Sequence, residues 1–206
     1  MPTITPRQKI EQVNMFGGKY VKVILDGDTY DDAYEAAKKY CNKNNKTFIH
    51  PFDDESVIEG QATLALEILE QANEKIDTII VPVGGGGLIS GVLSVFKQLS
   101  PETKIIGVEP EGAPSMSKSL SNNTVTPLDK IDPFVDGASV KRVGEISYNL
   151  CRKYLDEMLL VPEGKICQTI LNMYNKDAIV VEPAGAISVA ALELYQDKFM
   201  NQHVVC

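Results

Sequence analysis

Residues 78–88 have the sequence TIIVPVGGGGL, in which an apolar run leads directly into four glycines. The β-branched residues before the glycines are typical of a strand buried on both faces of a parallel sheet. A helix is predicted from the glycines to about Leu99. The start of a helix has backbone N–H groups without partners and a partial positive charge, and glycines let a phosphate approach these groups closely. The stretch therefore predicts an anion site between a strand and a helix.

Strand and helix patterns alternate on both sides of this stretch. Further strands are predicted at residues 20–25, 48–49, 104–109, 158–161 and from 204 onward. Helices are predicted at residues 5–16, 28–43, 55–72, 146–154, 163–174 and 183–195, with a short helix inside the connection 110–127. Repeated β/α units indicate an α/β fold with a mainly parallel sheet flanked by helices.

The composition excludes several classes of partner. The net charge of −8 and the isoelectric point near 4.8 argue against nucleic acid and anionic membranes, which attract basic surfaces. The four cysteines have no metal-like spacing, and two histidines are too few for a histidine-rich metal site. No apolar run is long enough to span a bilayer, and the first residues do not resemble a secretory signal. We therefore expect a cytoplasmic protein with reduced, mostly buried thiols.

The glycine run alone leaves the bound anion open. A tight turn without a ligand is one alternative, although four glycines weaken a helix start. The dinucleotide fingerprint fits Gly84, Gly86 and Gly91 only with incorrect spacing, but Glu109 lies at a suitable distance for its acidic residue, so this alternative stays open. A Walker A loop is excluded, because Leu88 follows the glycines where that loop has a lysine.

The glycines and the leucine after them resemble the phosphate loop of fold-type II pyridoxal-phosphate enzymes, the group of threonine dehydratase and serine racemase. Other similar segments follow in order along the whole chain: MPTITP at 1–6, FGG at 16–18, PFDD at 51–54, VIEGQAT at 57–63, DGASVKR at 136–142 and VEPAGA at 181–186. Ala62 replaces a glycine that is usual in the family. The resemblance implies a tryptophan synthase beta-like fold, with residues 1–50 in the smaller domain and 51–206 in most of the larger one.

The resemblance also implies roles for individual residues. The cofactor phosphate would be held by the backbone of Gly84, Gly85, Gly86, Gly87 and Leu88. Gly137 would approach the cofactor, and Glu182 would lie near its pyridine ring. Taken without the resemblance, Gly137 belongs to an ordinary turn signal and Glu182 could be the charge at a helix start.

A divalent cation site is implied at Glu109 and the carbonyl of Ala113. Ser115 stands where the related racemases have a further carboxylate, and such a cation needs several oxygen ligands. The alternative is that Glu109 is an exposed strand end.

The family's catalytic lysine has a Ser-Phe-Lys-like context, and no lysine of this sequence has it. The resemblance places that lysine upstream of the segment that matches Met1, so we expect a truncated internal fragment that has no catalytic residue and is inactive alone. The parent enzyme would eliminate water from L-threonine (or L-serine), giving 2-oxobutanoate (or pyruvate) and ammonia, and would form a homo-oligomer. Alternatives are a serine racemase-like enzyme, a non-catalytic module for phosphorylated ligands, and half of a split enzyme.

Overall fold

The structure, a computed structural model, describes residues 1–206 and divides into two compact units, Met1–Ile49 and His50–Cys206. The first unit contains the helices α1 (Arg7–Gly17) and α2 (Tyr30–Asn44), with a 3₁₀ turn at Gly18–Tyr20. A capping box starts α2, because Thr29 accepts a hydrogen bond from the backbone N–H of Asp32 and the Asp32 side chain accepts one from that of Thr29.

The two strands predicted in the first unit, at residues 20–25 and 48–49, are wrong, because the structure has no strand there. Val21 does have extended backbone dihedral angles, with φ −119° and ψ 138°. No neighbouring strand pairs with either segment, and a β-strand is defined by the hydrogen bonds of its ladder. The sequence therefore correctly predicted extended backbone at Val21, but it wrongly predicted that this segment pairs with another strand.

The second unit contains all four strands and the remaining helices. In chain order its elements are α3 (Glu55–Gln71), β1 (Thr78–Pro82), α4 (Gly87–Leu99), β2 (Lys104–Pro110), α5 (Ser115–Ser121), α6 (Glu145–Tyr154), β3 (Glu157–Val161), α7 (Glu163–Asp177), α8 (Pro183–Leu194), a 3₁₀ turn at Gln196–Phe199, and β4 (Val204–Val205). None of the helices is long and apolar enough to cross a membrane.

The sheet is parallel throughout, with the strand order β3-β2-β1-β4. Thr78 of β1 lies opposite Lys104 of β2 and Val204 of β4, so β1 is a central strand. The predicted α/β fold with a parallel sheet is confirmed. In a parallel sheet the carboxyl ends of the strands share one edge, and the glycine turn follows β1 at that edge.

Two apolar clusters cover the two faces of the sheet. Ile79 and Val81 of β1 belong to the cluster that includes Phe96 of α4, whereas Ile80 belongs to the cluster that includes Ile187 of α8. This alternation follows from the period of two along a strand, and burial of both sets explains why β1 is apolar throughout. Helix α4, which begins at the glycine turn, is therefore anchored by packing on one face of the sheet.

Candidate cofactor-phosphate site

The turn of four glycines joins the end of β1 to the start of α4. Gly86 has φ +97° and ψ 3°, a left-handed conformation that strongly favours glycine, and it is the residue that precedes α4. No side chain caps α4, and the backbone N–H groups of Gly84, Gly85 and Gly86 have no acceptor within the chain. Donors and the positive end of the helix dipole are therefore available to an anion.

Packing around the turn leaves no room for a side chain at any of the four glycines. A Cβ atom on Gly84 would lie 3.0 Å from the Cα of Ala138 and 3.2 Å from the carbonyl oxygen of Gly137. A Cβ atom on Gly85 would overlap the ring of Phe52, and one on Gly87 would lie 3.0 Å from the Phe52 carbonyl oxygen. The turn is thus held from two sides, by residues 137–138 and by Phe52.

Gly137 lies next to this turn, and Glu182 lies next to Gly137. A Cβ atom on Gly137 would lie 2.8 Å from the Cβ of Ala184 and 3.1 Å from Oε1 of Glu182. Glu182 is exposed and precedes α8, but its side chain does not cap that helix. Through Gly84, Gly137 and Glu182 the structure brings together three segments that are distant in the sequence. The remaining predicted phosphate residue, Leu88, lies in the first turn of α4 with its half-buried side chain packed against the core.

Glu109 is fully buried, so the alternative that it is an exposed strand end is wrong. Its carboxylate accepts hydrogen bonds from the backbone N–H of Met116 at 2.6 Å and from the N–H and hydroxyl of Ser117 at 2.9 and 2.7 Å. The hydroxyl of Ser115 lies farther away, at 3.4 Å. The carbonyl oxygen of Ala113 accepts a hydrogen bond from the Ser115 N–H. Glu109 and Ala113 therefore hold the start of α5.

Burial raises the pKa of Glu109 to about 7, although the hydrogen bonds from Ser117, Met116 and Ser115 oppose the shift. Burial, with a smaller effect of the nearby Glu109 charge, also raises the pKa of the Cys151 thiol to about 12. No group of three or more acidic, histidine or cysteine side chains that could hold a metal ion is present. All four cysteines are free thiols, but only Cys151 is buried, so the expectation of mostly buried thiols is wrong.

Phe52 and Asp53 lie in the PFDD segment that resembles the family, but no role for either residue follows from the sequence. Phe52 packs against Gly85 and Gly87, and the Asp53 carboxylate accepts hydrogen bonds from the first backbone N–H groups of α6. The PFDD segment was a sufficient signal that these positions matter. It could not indicate what they contact, because Glu145 lies 92 residues away from Asp53.

The arrangement fits a phosphate ester. A glycine turn with unpartnered N–H groups and an uncapped helix start supplies donors, and neighbouring packing excludes side chains that would fill the space. The sequence of the whole chain, residues 1–206, matches the family described as pyridoxal-phosphate dependent enzyme. The chain belongs to this family. Membership of this family implies that the cofactor is pyridoxal phosphate. The glycine run alone was also compatible with a dinucleotide.

Curated relatives narrow the subgroup of the pyridoxal-phosphate dependent family. Over 206 residues the chain is 55% identical to the L-threonine dehydratase biosynthetic IlvA of Halalkalibacterium halodurans, and 52% identical to the protein of the same name from Bacillus subtilis. All of this chain is covered, against 50% and 49% of those two proteins. The chain thus spans about half the length of the curated relatives that it matches.

Solved structures of the family agree with the fold. The processed form of threonine deaminase isoform 2 from Solanum lycopersicum is 41% identical, with a TM-score of 0.89 over 100% of this chain and 59% of that one. Maize serine racemase is 30% identical, with a TM-score of 0.87 over 99% of this chain and 62% of that one. The resemblance to the threonine dehydratase and serine racemase group, and the fold-type II assignment, are confirmed.

Proposed function

We propose that this chain forms the phosphate-holding part of a pyridoxal-phosphate dependent threonine dehydratase. The observation that carries the proposal is the uncapped start of α4, where Gly84 lies against Gly137 and Gly137 lies against Glu182. The identity of 55% to a biosynthetic threonine dehydratase supports the choice of substrate. The reaction is the elimination of water from L-threonine, or from L-serine, with release of 2-oxobutanoate or pyruvate and ammonia.

The residues of this chain bind and orient the cofactor. The backbone N–H groups of Gly84, Gly85, Gly86, Gly87 and Leu88 hold its phosphate with the help of the α4 dipole. Gly137 would let the backbone approach the cofactor closely, and the Glu182 carboxylate would lie near the pyridine ring. When bound, pyridoxal phosphate supplies an electron sink for the charge that develops at the substrate Cα.

Proton transfer at the substrate Cα requires the cofactor-binding lysine, and no lysine of this chain has the sequence context of that residue in the family. We therefore propose that the 206 residues alone bind the phosphate ester and do not turn over threonine. The substrate is a free amino acid, the complete enzyme is a homo-oligomer, and its location is the cytoplasm. Neither nucleic acid nor a membrane surface is a partner, because the net charge is −8.

A divalent cation at Glu109 and Ala113 is a separate proposal. The Glu109 carboxylate already accepts hydrogen bonds from Met116 and Ser117, so a cation has to replace some of them. The similarity to maize serine racemase favours a second candidate activity, racemisation of serine, which shares the first proton transfer with elimination.

A chimera tests the proposed function. The segment of the Bacillus subtilis relative that matches this chain is replaced by these 206 residues, and the purified chimera is assayed with L-threonine and L-serine. We expect 2-oxobutanoate and pyruvate with ammonia, and no D-serine. A soluble chimera that binds pyridoxal phosphate and forms no 2-oxobutanoate contradicts the proposal, and D-serine as the main product supports the second candidate. The chimera with Gly84→Ala is the negative control.

A further inference from the structure

Asp53 caps a helix to which it is not adjacent in the sequence. Its Oδ2 accepts a hydrogen bond from the N–H of Glu145 at 2.9 Å, and its Oδ1 accepts from Ile146 at 2.9 Å and Ser147 at 3.4 Å. These are the first three N–H groups of α6. The residue before α6 is Gly144, which has no side chain to cap the helix, so Asp53 satisfies donors that would otherwise lack a partner.

The start of α6 lies directly against the glycine turn. The N–H of Gly144 donates to the carbonyl oxygen of Gly85 at 3.0 Å. A Cβ atom on Gly86 would lie 2.6 Å from the Cβ of Ser147, and one on Gly144 would overlap the Asp53 carboxylate. Asp53, the first turn of α6 and the glycine turn therefore form one contiguous set of contacts.

The bond from Gly144 fixes the orientation of one peptide group of the phosphate turn. The carbonyl of Gly85 and the N–H of Gly86 belong to the same planar trans peptide, in which they point in opposite directions. A carbonyl held toward α6 therefore directs the Gly86 N–H away from α6. This N–H has no acceptor within the chain, and it is one of the donors assigned to the phosphate.

The two neighbouring helix starts also differ in charge. The carboxylate of Asp53 lies at the positive end of the α6 dipole, whereas no side chain caps α4. An anion is therefore directed to α4 and away from α6.

We infer that Asp53 is a positioning residue for the phosphate turn, acting through α6 and the Gly144–Gly85 hydrogen bond. The inference rests on the proposed function, because it presupposes that residues 84–88 hold a phosphate. It also gives a role to the PFDD segment, whose Phe52 packs on the other side of Gly85.

Asp54 provides a matched control, because this adjacent aspartate caps α3 in the same manner. Its Oδ1 accepts hydrogen bonds from Ser56 at 3.0 Å and Val57 at 3.3 Å, and Asp54 is not among the nearest neighbours of the Cβ positions at the four glycines. Replacement of either aspartate by alanine removes one helix cap of the same kind. Only Asp53→Ala removes the cap that supports Gly144 and Gly85.

The test compares binding of pyridoxine 5′-phosphate and pyridoxine by the 206-residue chain and its variants. Neither ligand has an aldehyde that reacts with lysines, so their affinity ratio isolates the phosphate contribution. We expect Asp53→Ala to weaken the binding of pyridoxine phosphate about tenfold, because the cap it removes supports the Gly144–Gly85 hydrogen bond. Asp54→Ala should weaken the binding less than about twofold, although it also removes one helix cap. Asp53→Asn keeps one acceptor oxygen, so its affinity for pyridoxine phosphate should fall only about threefold. Pyridoxine affinity should stay unchanged in all three.

Equal losses in the Asp53→Ala and Asp54→Ala variants overturn the inference, because they show a general effect of destabilisation. Unchanged phosphate affinity in both Asp53→Asn and Asp53→Ala also overturns it, and the asparagine variant decides if the alanine variant does not fold. If the unsubstituted chain binds the two ligands equally, the proposed function itself fails and the inference falls with it.

Discussion

Gly84 lies so close to Ala138 that a Cβ atom on the glycine would be 3.0 Å from the alanine Cα. The neighbouring atoms belong to backbone, which cannot rotate away as a flexible side chain does. This contact joins the phosphate turn to the loop that carries Gly137, and it makes the two positions dependent on each other.

Replacement of Gly84 by alanine should therefore lower both stability and phosphate affinity. We expect a loss of about 1–3 kcal/mol in the free energy of unfolding, the usual cost of overpacking. Urea unfolding and titration with pyridoxine phosphate measure the two effects. Gly164→Ala in α7 is the control, because a Cβ atom there meets nothing within 4 Å. The account is contradicted if Gly84→Ala binds the ligand as tightly as Gly164→Ala does.

The contact between α3 and α4 depends on Gly91. A Cβ atom on Gly91 would lie 2.6 Å from the backbone nitrogen of Ala62 and 2.9 Å from the carbonyl oxygen of Ile58. Gly91→Ala should push the two helices apart and cost about 1–3 kcal/mol in the free energy of unfolding. Gly60→Ala, in an open position of α3, should instead stabilise by about 0.5–1 kcal/mol, because glycine is unfavourable inside a helix. Equal midpoints of thermal unfolding for both variants would refute this packing.

Glu109 should make stability depend on pH in a defined window. Its pKa is raised from 4.5 to about 7 in the folded state, so the folded chain binds the proton more tightly than the unfolded chain does. The stability it contributes is fully present below about pH 4.5 and is lost as the pH rises through about 7. Urea unfolding across this window should show a decrease on the order of 3 kcal/mol from this group. Glu109→Gln should remove that part of the slope, and Glu111→Gln, at an exposed neighbouring position, should not.

The cysteines should differ strongly in reactivity. Cys151 is buried and its thiol pKa is raised to about 12, so the reactive thiolate is scarce at neutral pH. Cys167 is exposed. Alkylation with iodoacetamide, followed by mass spectrometry, should label Cys167 in the folded chain and Cys151 only after unfolding. Labelling of both at similar rates in the folded chain would show that the α6 packing is incorrect.

The sequence predicted those features that depend on local pattern. The strand β1 was predictable because apolar β-branched residues in a short run need burial on both sides, and the glycines after it mark the start of α4. Residues 20–25 have a similar pattern and extended geometry at Val21, yet they form no strand, because pairing depends on a second segment. The apolar pattern therefore predicts a preference for extended backbone, but a strand forms only where a second segment pairs with it.

The polar contacts of the site depended on partners that are distant in the sequence. Glu109 could not be distinguished from an exposed strand end, because its burial relies on donors at Met116 and Ser117. The function of Asp53 as a cap was equally hidden, because α6 begins 92 residues later. The prediction that Gly137 and Glu182 belong to the same site as the turn rested on the family resemblance and not on the spacing of residues in the sequence.

Nuclear magnetic resonance of the backbone amides tests the central claim most directly. Pyridoxine 5′-phosphate is titrated into the ¹⁵N-labelled chain, with pyridoxine as the control ligand. The account predicts that the amide signals of residues 84–88 shift most with the phosphorylated ligand and hardly move with pyridoxine. Shifts that spare residues 84–88, or that are equal for both ligands, would contradict the assignment of a phosphate to the start of α4.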